Sequence, residues 1–171
     1  MWTKAKVDEA IKTYVSDKAR AEHLALEIDE LDKRIKMAVT HLAEDEASPK
    51  AQKITDMPHG TSVGKPTEEL AVKLASGWLP PEVKEMQSEM KSFQFEYSDL
   101  MLKVRFVDAW MGALTDRENW ILRHQVMRNE FWRDVLDDYS KQFGGYATKE
   151  TLKRLRANAF KQIYGIAGIK N

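Results

Sequence analysis

Between Thr3 and Glu46 the chain contains neither glycine nor proline, and this uninterrupted stretch constrains the fold more than any other feature. Val7, Ile11 and Tyr14, then Leu24, Ile28, Leu31, Ile35, Ala38 and Leu42, recur at spacings of three and four, which is one face of a long helix. The two runs are separated by a gap near Lys18, read as a phase slip that a continuous 3.5-residue period would not show. Pairs such as Glu9–Lys12 and Glu30–Arg34 clothe the other faces at helical spacing. At 1.5 Å per residue such a helix would extend roughly 65 Å. No small globule hides it alone, so it needs a partner helix in the same chain or in another.

A second long helix follows after an interruption. Ser48, Pro49, Pro58, Gly60, Gly64 and Pro66 mark residues 48–66 as a linker loop. Thr67 offers an N-cap, with Glu68 and Glu69 behind it, for a short helix ending at Gly77. Leu79-Pro80-Pro81 punctuates again, with Pro81 suited to the first position of a helix running to about Ala113. Val83, Met86, Met90, Phe93, Tyr97, Leu100, Val104 and Val107 alternate strictly by three and four, a heptad seam. Two uses of that seam stay open: an antiparallel hairpin with the first helix, or an interface between copies of the chain.

Beyond Leu114 the pattern changes to three shorter helices. Thr115-x-x-Glu118 is a capping box that starts one at Asp116, ending near Met127. The next, from about Glu130 to Phe143, sets Trp132, Val135, Leu136, Tyr139 and Phe143 on one face and is stopped by Gly144-Gly145. Thr148 caps a last helix whose inward stripe is Leu152, Leu155, Ala159 and Ile163. The fold class is therefore all-α. A long helix (1–47), a linker (48–66) and a short plus a long heptad helix (67–114) precede a three-helix segment (115–171). Two amphipathic helices joined by a short glycine-containing turn have the layout of a helix-turn-helix.

Formal charge is zero over 171 residues, but its distribution is uneven. Residues 147–171 hold Lys149, Lys153, Arg154, Arg156, Lys161 and Lys170 against one acid, Glu150. With the Leu152 stripe turned inward, the opposite face of the last helix presents Glu150, Arg154, Ala157 and Lys161, with Lys153 at its edge. Lys149 and Arg156 lie nearer the border. Small Ala157 near the centre would let a major groove approach. The bland alternative is a solvated charged face.

Chemistry of other kinds finds no support. There is no cysteine, hence no disulfide, thiolate metal site or thiol catalysis. His23, His41, His59 and His124 have no metal-ligand spacing, and no phosphate loop or nucleophile elbow is present. The acids Glu44-Asp45-Glu46 and Asp137-Asp138 lack a pocket signal. The expectation is a non-enzyme without cofactor or metal. No apolar run approaches 18 residues and no basic-then-apolar leader opens the chain, so neither membrane insertion nor secretion is expected.

Three stretches carry a resemblance: Leu114-Thr-Asp-Arg-Glu-Asn-Trp-Ile-Leu-Arg-His, Trp132-Arg-Asp-Val-Leu-Asp-Asp-Tyr139, and Thr148-Lys-Glu-Thr-Leu-Lys-Arg-Leu-Arg continuing to Ala159-Phe-Lys-Gln-Ile. Together they resemble region 4 of sigma-70-type factors. With Asp56-Met57-Pro58-His59-Gly60 they look like phage late transcriptional regulators of the ArpU/RinA type. The resemblance implies promoter-directed binding of double-stranded DNA through Thr148, Lys149, Glu150, Lys153, Arg154, Arg156, Ala157 and Lys161. It also implies RNA polymerase as a second partner and a prophage-encoded protein acting in the bacterial cytoplasm, oligomeric through its long helices. The turn Gly144-Gly145-Tyr146-Ala147 is longer than the pattern's tight corner. A small terminase subunit and a helical scaffolding protein are the rival readings.

Overall fold

A computed structural model describes residues 2–47 and 78–169, with side chains described for 2–41 and 78–169. The expected linker, the short helix from Thr67 and the Asp56–Gly60 motif lie outside the described residues. Among those described, the chain is all-helical. It comprises α1 (Lys4–Ala47), α2 (Pro81–Gly112), α3 (Asp116–Ile121), a π-helical continuation (Leu122–Met127), α4 (Trp132–Phe143) and α5 (Lys149–Ile166).

The long helices pack against each other within one chain. Val7, Ala10 and Ile11 of α1 share a core with Val107, Trp110 and Met111 of α2. Further along, Tyr14 donates to Asp108 at 2.6 Å and Arg20 pairs with Glu96 at 3.0 Å. Numbers rising on α1 meet numbers falling on α2, so the pairing is antiparallel. It uses the heptad seam of α2, every member of which is buried or half-buried.

The phase slip expected near Lys18 is absent. Val7, Tyr14, Ala21, Ile28 and Ile35 alternate with Ala10, Asp17, Leu24, Leu31 and Ala38 in an unbroken heptad, all buried or half-buried. The gap arises because the two slots between Tyr14 and Leu24 hold a polar and a small residue, Asp17 and Ala21. Ala10 and Ala21 are buried despite offering only a methyl group, and Asp17 is tied to Thr13 at 2.8 Å.

By contacts the chain forms two compact units, residues 1–23 with 96–171, and residues 24–95. The first unit includes the three-helix segment together with the end of α1 and the end of α2 that pair with each other. Its core joins the α1 and α2 residues named above to Leu114, Leu122, Ala159 and Ile163. A second cluster, Ile121, Val135, Tyr139 and Leu152 with Trp120, Trp132, Leu136, Phe143 and Leu155, holds α3, α4 and α5 together. In the unit of residues 24–95, Leu24, Leu31 and Val83 are the buried apolar side chains among the described residues.

The capping box forms at α3. Glu118 is only 5% exposed. It accepts from the Thr115 N–H (3.2 Å), the Thr115 hydroxyl (2.7 Å) and Gln162 Nε2 on α5 (2.8 Å), so the buried carboxylate is hydrogen-bonded on both oxygens. The helix it starts does not stay α-helical to Met127 as expected. From Leu122 it widens into a π turn, with Arg128 N–H bonding Arg123 O five residues back at 3.1 Å. At roughly 100° per residue, Met127 would point about 140° away from Leu122. The wider turn brings Val126 and Met127 round to the core that buries Leu122. Asn129, at φ 53, then ends the segment.

Candidate functional site

The site is the exposed face of α5, and its presentation depends on how the other face is held. Leu152 and Leu155, in the first half of the helix, pack on α4 and α3. Ala159 and Ile163, in the second half, pack on α1, α2 and the π segment. Thr148 caps the N-terminus, its hydroxyl oxygen accepting from Thr151 N–H at 3.2 Å. The C-terminus closes with Gly168 at φ 71, Gly168 N–H on Gly165 O and Ile169 N–H on Tyr164 O, a Schellman closure whose Ile169 packs on the core. Every inward position of the predicted stripe is thereby used.

The sequence-predicted site residues separate into two groups. Glu150, Arg154, Ala157 and Lys161 are exposed together on one face. Arg154 and Lys161 have no hydrogen bond or ion pair among the described residues. Glu150 pairs with Lys153 at 2.9 Å, and that ammonium holds its exposed carboxyl below the usual range. The other group turns toward α4. Lys149 Nζ lies 5.9 Å from the Trp132 ring centroid, and the Arg156 guanidinium carbon lies 5.4 Å from the same ring. Arg156 also donates to Gln125 Oε1 of the π segment and is half-buried. It acts as a brace for α5 more than as part of the open face.

Sequence reasoning assigned nothing on α1 to this site, yet α1 borders it. A groove of about 830 Å³ is lined by Lys12 and Asp8 of α1, by Met127 and Asn129, and by Arg156, Ala157 and Phe160 of α5. Tyr164 donates to Asp8 at 2.5 Å across it, and Lys4 Nζ lies 5.7 Å from the Tyr164 ring. Burial first, and then the hydrogen bond to Asp8, push the Tyr164 hydroxyl up to about 12. The helical positions 4, 8 and 12 were visible in the sequence, but nothing local linked them to residue 157. Two exposed aromatics were assigned no role: Phe131, which precedes α4 without a side-chain capping bond, and Tyr146 in the turn before α5.

Among the described residues no group of three or more histidines, aspartates or glutamates is arranged to hold a metal ion, and no helix is long and apolar enough to cross a membrane. No family model, curated protein or solved structure matches the chain.

Proposed function

We propose that this chain is a DNA-binding transcriptional regulator that reads duplex DNA with the open face of α5. The observation that carries the reading is the division of labour on that helix. Its inward stripe is anchored in two cores, while Arg154 and Lys161 stand exposed and unpaired on either side of Ala157. A helix of this diameter fills the major groove, and a methyl group at its centre lets the backbone approach base edges while flanking cations reach bases and phosphates. Glu150 and Lys153 neutralise each other, so the face keeps a net positive charge. The Thr148-capped N-terminus adds backbone N–H groups suited to a phosphate. Promoter targeting, with RNA polymerase as second partner, rests on the resemblance of the three C-terminal stretches to sigma region 4.

The test is binding to a mixed-sequence duplex of about three helical turns at several salt concentrations. The intact chain should lose affinity steeply as salt rises. Arg154→Ala with Lys161→Ala should weaken binding at least about tenfold and lower the salt slope by about two. Absence of salt-dependent binding by the intact chain would remove the proposal, leaving a helical interaction protein as the better reading.

A further inference from the structure

We infer that the N-terminal end of α1 belongs to the DNA interface, with Lys12 as a phosphate contact at the rim of the groove that α5 occupies. The inference rests on the proposed function and extends it to an element outside the three-helix segment. The juxtaposition that carries it is that Lys12 lines the same groove as Ala157, the residue at the centre of the open face of α5. The major groove is about 12 Å wide and a helix with its side chains about 10–12 Å across. With α5 seated, the strand backbones run immediately beside it. A cation on a neighbouring element that shares a cavity wall with Ala157 therefore stands where phosphates pass.

Three further observations agree. Lys12 is exposed and has no hydrogen bond or ion pair among the described residues. The one acid among the described residues that line the groove, Asp8, accepts a hydrogen bond from Tyr164, while Lys12 and Arg156 both line the wall, so the groove is net positive. Charge along α1 is also polarised. Residues 1–12 carry three basic and two acidic side chains, whereas residues 13–47 carry five basic and nine acidic. The end of α1 that borders α5 is the end where a polyanion is not repelled. Asn129, exposed beside the groove, adds an amide that can donate to a phosphate oxygen.

The deciding experiment measures duplex affinity against salt for the intact chain, Lys12→Ala, Lys12→Arg and, as control, Lys18→Ala, another exposed lysine of α1. Lys12→Ala should lower affinity about fivefold near physiological salt, equally for all duplex sequences, and reduce the salt slope by about one. Lys12→Arg should restore most of the affinity, and Lys18→Ala should change neither quantity. If the intact chain binds with a steep salt slope and Lys12→Ala matches it in both affinity and slope, this inference is overturned while the role of α5 stands. If the intact chain shows no salt-dependent binding, both fall together.

Discussion

At the scale of single residues, the ends of the long helices are fastened by phenol–carboxylate pairs. Tyr14 donates to Asp108 and Tyr164 to Asp8, bridging residues far apart in the chain. Both hydroxyls are pushed up to about 12, first by burial and then by the carboxylate each one faces. The sign follows directly. A folded-state value above the unfolded value of 10.0 means the pair stabilises fully below pH 10, and the contribution is lost as pH climbs toward 12. Stability measured by urea unfolding should hold level to about pH 10 and then decline. Tyr164→Phe keeps the ring on the core and removes only the donor. Its expected cost at neutral pH is about 1 kcal/mol, or roughly 2–4 °C in Tm for a chain of this length. The variant should also show a shallower alkaline decline. An unchanged stability at neutral pH and an unchanged decline would mean that Asp8 is as well served by water.

At the scale of elements, what the sequence disclosed depended on how far each signal reaches along the chain. Capping and stopping are local, so Thr115, Glu118, Thr148 and the Gly144 stop were legible and act as read. Gly144 illustrates why. It ends α4 at φ 68, ψ 148, a backbone state that side chains with a Cβ rarely adopt, although nothing lies within 4 Å of where a Cβ would sit. Gly144→Ala should therefore destabilise by about 1–3 kcal/mol through strain alone, with no clash to relieve. Thermal unfolding checks this, and a neutral effect would show that the turn can relax. The heptad of α1 was misread where its slots hold alanine and aspartate, because burial there is decided by α2 and leaves no apolar mark on α1. The π turn was invisible for a similar reason. Val126 and Met127 can be placed over the core only once Leu122 and the residues facing it are known. The exposed face of α5 was legible from periodicity, but its separation into an open group and a group braced on Trp132 and Gln125 required the tertiary neighbours.

At the scale of the molecule, α5 is held by two cores, and one of them is not its own segment's. Leu122, Ala159 and Ile163 are completely buried against α1 and the end of α2, whereas Leu152 is buried against α3 and α4. A three-helix segment that folded alone would close both halves of its last helix with its own residues. Here the hairpin ends supply the missing wall, and Gln162 reaching buried Glu118 depends on that wall keeping α5 in place. A segment of fewer than 60 residues is marginal even with a complete core. Residues 115–171 expressed alone should therefore lack a cooperative transition, because Leu122, Ala159 and Ile163 would be exposed, the two large side chains each costing about 1.5–3 kcal/mol and the Ala159 methyl about 0.8 kcal/mol in lost apolar burial. Circular dichroism on heating should show a broad, low-amplitude change for the fragment and a sharp one for the whole chain. A fragment that melts sharply within a few degrees of the intact chain would mean the three-helix segment is self-sufficient and the hairpin merely rests on it. The first outcome would tie the proposed DNA recognition to the long helices: α5 could present Arg154 and Lys161 only while the paired ends of α1 and α2 are intact. Any event that separated those ends would then release the exposed face of α5 as well.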